Sequence, residues 1–585
     1  MRRYIVGLLA TVGTLTLLII AGGVALMISA PFSAKPLPQT MVLSLDLRRL
    51  PPEVESTGLL RGGLLGGSRD IIEVTRLLSR AADDPRVAGL YVEIGDDQAG
   101  LARVQELRQA LAHFRGKGKF TVGFAESLGG DGHVGDYYLA AALEQIWLQP
   151  SGSFAVTGIA IETPFLKAGL EKIGVQMEGG KRYQYKSAPD SFLETGYTGP
   201  ARENLQQLLD SLFGQFAADV ASDRRLEPAQ VRRLVDSAPF GPERARQEGL
   251  IDRIGYRADA IEEVRQRSGS SHDLVTLADY AGDAERPMPQ GEVIALVRVN
   301  GPIVSGPSDD GGLLEGDAVA NAEDVVDALD QAAQAKEVRA IVLRIDSPGG
   351  TYPAADAIAD AVGRARAAGK PVIASMSDVA ASGGYLAAVR ADVIVAQPTS
   401  ITASIGVFTI WPVASELLTS LGIRMERLSV GANAGMYSTF QPPTAAQRMI
   451  VARELDTVYR DFAREVGESR KLDAGQLDAA ARGRVFSGVD AKQAGLVDEL
   501  GGLQLALSIA KAKAGIDEIR QIELRPYPGE GERWQRLLDQ VLRLANVDSG
   551  PTVRAPREVR EILARFGVVA RPGNVRLPPL PPLWR

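Results

Sequence analysis

VAGLYVEI, residues 87–94, and VRAIVLRI, residues 338–345, decide the fold. Both are rich in Val, Ile and Leu without strict polar alternation, the pattern of strands covered on both faces, and so of parallel strands between helical layers. Working outward from each, the same order repeats. MVLSLDL (41–47) matches EVIALVRV (292–299), GKFTVGFA (118–125) matches GKPVIASM (369–376), YLAA (138–141) recurs at 385–388, and QEGLIDRIG (247–255) matches QAGLVDELG (493–501). A shift of about 250 residues is far too long for a solenoid and fits a duplicated domain. Amphipathic stretches such as DIIEVTRLLSRAA (70–82) and EDVVDALDQAAQA (323–335) provide the intervening helices, and residues 201–225 and 445–471 read as one long edge helix per copy. The expected class is α/β in two tandem copies.

At 585 residues the chain exceeds a single core. It is 45% hydrophobic and 23% charged, and its net charge of -7 is spread without long runs of one sign, which excludes the footprint of a nucleic-acid binder. Cysteine is absent, so disulfides, thiolate metal sites and a thiol nucleophile are excluded. The three histidines, His113, His133 and His272, all fall in the first copy, and no metal or cofactor is expected. Residues 4–34 carry no charge, enough to span a bilayer, and Arg2 and Arg3 hold the amino end in the cytoplasm. A cleaved signal peptide ending near Ser33 and Ala34 is the alternative, but its apolar core would be shorter. The expected organisation is an anchor (1–36), a first repeat (37–280), a linker (281–291), a second repeat (292–525) and an extension (526–585) ending in LPPLPPLWR.

Chemistry concentrates in the second copy, in IDSPGGTYPAAD (345–356), AASGGYLAA (380–388) and TASIGVF (402–408). Ser382 stands among residues with almost no side chain, ahead of an apolar helical stretch. An N-cap serine has no need of small residues on both sides, whereas a nucleophile does, since a substrate backbone must come close. The N–H groups of Gly383 and Gly350 are candidates to face a developing oxyanion. A Ser-His-Asp triad within this copy is excluded, because it holds no histidine. A lysine can act as base where burial removes its charge. The first copy has Gly135 opposite Ser382 in GHVGDYYLAA (132–141), but carries EGGKRYQYKSAPDSF (178–192), while the matching RLSVGANAGMYSTF (427–440) has no lysine. One composite site between the copies would join the serine of one to the lysine of the other. Lys186 competes with Lys181 and is preferred because Tyr183 and Tyr185 can shield its stem. Ser404 is either a core hydroxyl or an acceptor that orients the lysine.

Together these motifs resemble the signal peptide peptidase A family in its long, duplicated bacterial form, over nearly the whole chain to about residue 525. The resemblance implies tandem ClpP/crotonase-like domains behind an amino-terminal membrane helix. It implies a serine protease with Ser382 as nucleophile, Lys186 as general base, Ser404 bonded to the lysine, and Gly350 with Gly383 as the oxyanion hole. It further implies hydrophobic signal-peptide remnants as substrates, a homotetramer, and a catalytic region on the periplasmic side of the inner membrane. A broader membrane-associated serine peptidase and a catalytically silent oligomeric scaffold are the alternatives. The extension beyond the repeats has no counterpart in the family pattern.

Overall fold

The computed structural model describes residues 37–54, 69–95, 100–130, 133–269, 274–284, 291–306 and 319–529, with the backbone of a small hairpin at 569–571 and 574–576. The expected anchor, residues 1–36, lies outside the described residues. Among those described, no helix is long and apolar enough to cross a membrane.

The strands, in chain order, are β1 (Met41–Leu47), β2 (Val87–Ile94), β3 (Phe120–Ala125), β4 (Gln145–Leu148), β5 (Gln176–Arg182), β6 (Arg253–Ile254) and β7 (Val275–Thr276). They continue with β8 (Glu292–Asn300), β9 (Ile303–Val304), β10 (Ala320–Asn321), β11 (Val338–Ser347), β12 (Val372–Ala381) and β13 (Val393–Ala396). The remainder are β14 (Ile401–Ala403), β15 (Val407–Val413), β16 (Val485–Ser487), β17 (Glu499–Leu500) and β18 (Ile522–Tyr527). The first sheet runs β6-β4-β3-β2-β1-β7 and is parallel throughout. In the second, β17-β13-β12-β11-β8-β18 repeats that order in parallel register.

Both sheets follow from their apolar runs. In β2 every residue but Ala88 is buried, and in β11 every one but Arg339 and Asp346. Each fully enclosed Val, Leu or Ile is worth about 1.5–3 kcal/mol, which fixes the face of every strand. The edge helices Gly199–Arg224 and Ala445–Arg470 are capped by the Thr198 and Thr444 side chains and end on left-handed residues, Arg225 and Lys471. Arg224 pairs with Asp252, and Arg470 with Asp498.

The structure corrects two expectations. The stretch read as a linker from residue 281 begins inside the helix Leu277–Ala284, because Leu277, Tyr280 and Ala281 are buried against the first sheet. The duplicated tyrosine shifts the register of the copies by one residue: Tyr137 Oη donates to Leu250 O (3.0 Å) as Tyr385 Oη donates to Leu496 O (2.9 Å). Val134, not Gly135, therefore stands opposite Ser382. The first copy still lacks a hydroxyl there.

The second sheet departs from the first at β12. Its first part pairs with β13 (Ile373–Met376 against Val393–Ala396), and its last three residues pair with β14 (Val379–Ala381 against Ile401–Ala403). Ser382 follows directly. A separate ribbon crosses between the copies, β5 antiparallel to β15, with Arg182 opposite Val407. It brings the segment after β5 beside the segment before β15.

Candidate active site

Ser382 sits on a turn between β12 and the helix Gly383–Ala388 with φ 55° and ψ -117°, outside the favoured basins for a side-chain-bearing residue. Such strain costs on the order of 1–3 kcal/mol and persists only where surrounding structure enforces it. Here Ser382 N donates to Ala403 O (2.7 Å), and Leu386 N to Ser382 O (3.0 Å). The Ser382 side chain makes no capping hydrogen bond to the helix. Its hydroxyl is therefore free of the structural duty an N-cap would give it.

Lys186 is only 2% exposed, and its Nζ lies 3.1 Å from Ser382 Oγ. The same amine donates to Ser404 O and Ser404 Oγ, both at 2.9 Å. Burial pushes the Lys186 amine down from its ordinary 10.5 to about 7, with no opposing carboxylate to restore it. An uncharged amine has two N–H groups and one lone pair. With the two N–H groups directed at Ser404, the lone pair is left for the Ser382 hydroxyl. Ala403 (φ 67°) and Ser404 (φ 53°) are themselves left-handed, so the acceptor loop is bent as sharply as the serine turn.

The DSPGG turn closes the other side. A methyl group on Gly349 would stand 2.7 Å from Gly383 N and 2.8 Å from Ser382 Cβ, so only glycine lets the two turns meet. Ile303 N donates to Gly349 O and Thr351 N to Ile303 O, which leaves the intervening Gly350 N–H directed away from β9. A Cβ on Gly383 would lie 3.1 Å from Gly350 N. The backbones of Gly350 and Gly383 thus pack against each other beside the serine turn.

The structure brings together Ser382, Lys186, Ser404, Gly350 and Gly383. It separates Lys181, which is ion-paired with the buried Asp190. Of the two tyrosines beside Lys186 in the sequence, Tyr183 packs edge-on against Tyr459, and Tyr185 lies under the Arg484 guanidinium, 3.7 Å away. Ala380 and Leu386, on either side of Ser382 in the sequence, are enclosed in the core of the second copy. Sequence reasoning missed residues 481–484, which contact both the lysine and Ser404 loops. The one available signal was a lone glycine between two arginines.

A hydroxyl on a strained turn beside a buried amine, with two glycine backbones packed against it, defines a serine peptidase. Comparison with known proteins gives the family. The model of peptidase family S49 matches residues 127–271 and 364–517, one segment in each copy. A chloroplastic serine protease SPPA of Arabidopsis thaliana is 31% identical over 455 residues, 76% of this chain and 66% of its own length. Protease 4 of Haemophilus influenzae is 30% identical over 457 residues, 75% of this chain and 72% of its own. Among solved structures, a ClpP1 mutant from Listeria monocytogenes is similar over 36% of this chain and 94% of its own, at 17% identity and a TM-score of 0.24. The chain belongs to peptidase family S49.

Proposed function

We propose that this chain is a membrane-anchored serine endopeptidase that cuts the hydrophobic remnants of signal peptides, with Ser382 as nucleophile and Lys186 as general base. The observation that carries the reading is the 3.1 Å approach of a buried amine to a hydroxyl that caps nothing. In the first step the Ser382 proton passes to Lys186 Nζ as Oγ bonds to the peptide carbonyl carbon. The carbonyl oxygen, now negative, takes hydrogen bonds from the Gly350 and Gly383 amides. The C–N bond then breaks, and Lys186 gives its proton to the leaving amine. Water, deprotonated by the same lysine, attacks the acyl ester and releases the carboxylate and the free serine. Ser404 holds the amine on line throughout.

The charge-free residues 4–34 behind two arginines support a single span with the catalytic region on the periplasmic side of the inner membrane. The family resemblance supports tandem ClpP/crotonase-like domains assembled as a homotetramer, and signal-peptide fragments as substrates. The test is labelling of the detergent-solubilised full chain with a fluorophosphonate probe. Wild type is expected to label at Ser382, and Ser382→Ala and Lys186→Ala to stay unlabelled. Equal labelling of all three would remove the dyad, and a silent wild type would leave a scaffold.

The lysine also sets a pH dependence. Below about 7 the amine carries a proton and cannot accept another, so kcat/KM is expected to rise with pH through an acid limb centred near 7. A pH–rate profile checks this. A limb centred near 10 would mean that the amine stands in water.

A further inference from the structure

Residues 481–484, ARGR, join the short helix Ala474–Ala480 to β16. The mechanism above does not use them, yet they bond both loops that meet at the serine. Arg482 O accepts from Tyr183 N (3.3 Å) and Tyr185 N (3.2 Å), on the lysine side. Gly483 N donates to Ile405 O (2.7 Å), and Arg484 O accepts from Ser404 N (2.8 Å), on the other side. The strap is anchored in turn, because Arg482 N donates to Tyr459 Oη (3.2 Å) and Arg484 reaches Glu203 (3.3 Å) and Gln207 (3.1 Å). Arg482 (φ 59°) and Gly483 (φ 87°) are consecutive left-handed residues. A non-glycine residue held there is strained, which marks the strap as enforced by its contacts.

The tightest approach is at Gly483. A methyl built on it would stand 2.4 Å from Lys186 N and 2.6 Å from both Lys186 Cα and Cβ, closer than real contacts allow. The obstacle is main chain, which cannot swing aside as a side-chain tip would. We propose that Gly483 is a positioning residue for the reaction: its bare Cα lets the strap press against the Lys186 backbone, setting the reach of the amine toward Ser382 and excluding water from it. This rests on the Ser382 and Lys186 reading and adds to it a residue that touches no reacting atom.

Charge on the surrounding elements does not compete with this role. Arg482 is paired with Asp478, Arg484 with Glu203, Arg182 with Asp456 and Lys181 with Asp190. Tyr183, Tyr185 and Tyr459 also pack beside the strap. Burial alone lowers the lysine, so loosening the strap acts by admitting water.

The experiment uses the full chain in detergent, with melting curves to show that each variant folds, and follows the rate of fluorophosphonate labelling from about pH 6 to about pH 10. Because misplacing a catalytic group by about 1 Å costs on the order of a hundredfold, Gly483→Ala is expected to label about a hundredfold more slowly at pH 7. Its acid limb is expected to move up by about one pH unit or more, since the amine regains water, so part of the loss returns in alkali. A wild-type midpoint in a folded Gly483→Ala, at whatever rate, overturns the proposal, because a merely weakened fold lowers the rate without moving the limb. If that variant does not fold, Gly406→Ala probes the same packing from the opposite side. Its Cβ would meet Arg182 O at 2.6 Å and Gly483 Cα at 2.9 Å. The same upward shift is expected, and an unmoved midpoint is again fatal. Lys186→Ala separates the two claims. If it labels like wild type the dyad itself falls, whereas a silent Lys186→Ala beside an unshifted Gly483→Ala removes only the strap.

Discussion

Lys186→Met is expected to yield a protein that is inactive and yet more stable than wild type at pH 7. Without the base the serine proton has no acceptor, and loss of the base of such a constellation costs on the order of a million-fold in rate. The stability gain follows from linkage. In the unfolded chain the amine titrates near 10.5, and in the folded protein near 7, so between those values the unfolded state holds one more proton and wild-type stability rises with pH. The penalty is complete below about 7, shrinks as pH rises, and is gone above 10.5. At pH 7 it is on the order of 4 kcal/mol. Methionine fills similar space without a charge but leaves the Ser404 carbonyl and hydroxyl without the amine, at a cost of about 1–3 kcal/mol. The variant is therefore expected to exceed wild type by about 2 kcal/mol near pH 7 and to fall below it in strong alkali. Denaturant unfolding at both ends of that range, beside peptide hydrolysis, checks the pair of outcomes. A stability difference that does not change with pH would mean that the lysine is solvated.

The halves of this site differ in how far the sequence revealed them. Ser382 was legible because a hydroxyl among alanines and glycines is chemically out of place, and the exclusion of histidine from the second copy directed attention to lysine. The sheets were legible because period and composition report burial directly: β2 and β11 could not be other than enclosed strands. Register was less so. The repeated YLAA put Gly135 opposite Ser382, and only the paired tyrosine hydroxyls, which reach the same carbonyl in each copy, show that Val134 belongs there. The packing that holds the lysine in place was not legible. Gly483 matters because the Lys186 backbone lies against it, and those residues are far apart in sequence. Tyr183 and Tyr185 were read as a sleeve for the lysine from adjacency alone. Their rings also meet Tyr459 and Arg484, side chains of the other copy, which adjacency could not show.

Arg344 was a signal in plain view, a full charge within the apolar VRAIVLRI, and replacing it is expected to have the largest effect on the fold. It is 1% exposed. Nε donates to Glu53 Oε1 and Nη2 to Glu106 Oε2, both at 2.6 Å, while Nη1 donates to Ser375 Oγ (3.0 Å) and Nη2 also to Ser377 Oγ (3.1 Å). Both glutamates come from the first copy, and both serines lie on β12, the strand that leads to Ser382. Burial raises the Glu53 carboxyl, and the Arg344 guanidinium more than offsets this, holding it below the usual range. Arg344→Met leaves two enclosed carboxylates without their cation, a loss of about 3–5 kcal/mol. Glu53, raised by burial once the arginine is gone, then destabilises the fold above its unfolded value near 4.5 and increasingly so toward neutrality. The deficit is therefore expected to be greater at pH 7 than at pH 5. Glu106 Oε1 also accepts from Leu503 N (2.7 Å), so glutamine keeps that bond, and adding Glu53→Leu and Glu106→Gln to Arg344→Met is expected to restore most of the stability. Denaturant unfolding at the two pH values decides the matter, and an Arg344→Met protein within about 1 kcal/mol of wild type would show that the cluster holds nothing together. Because the cluster ties the strand bearing the serine to the copy bearing the lysine, loosening it separates the two reactive groups first. Hydrolysis in Arg344→Met is accordingly expected to fail at a lower denaturant concentration than the global unfolding transition.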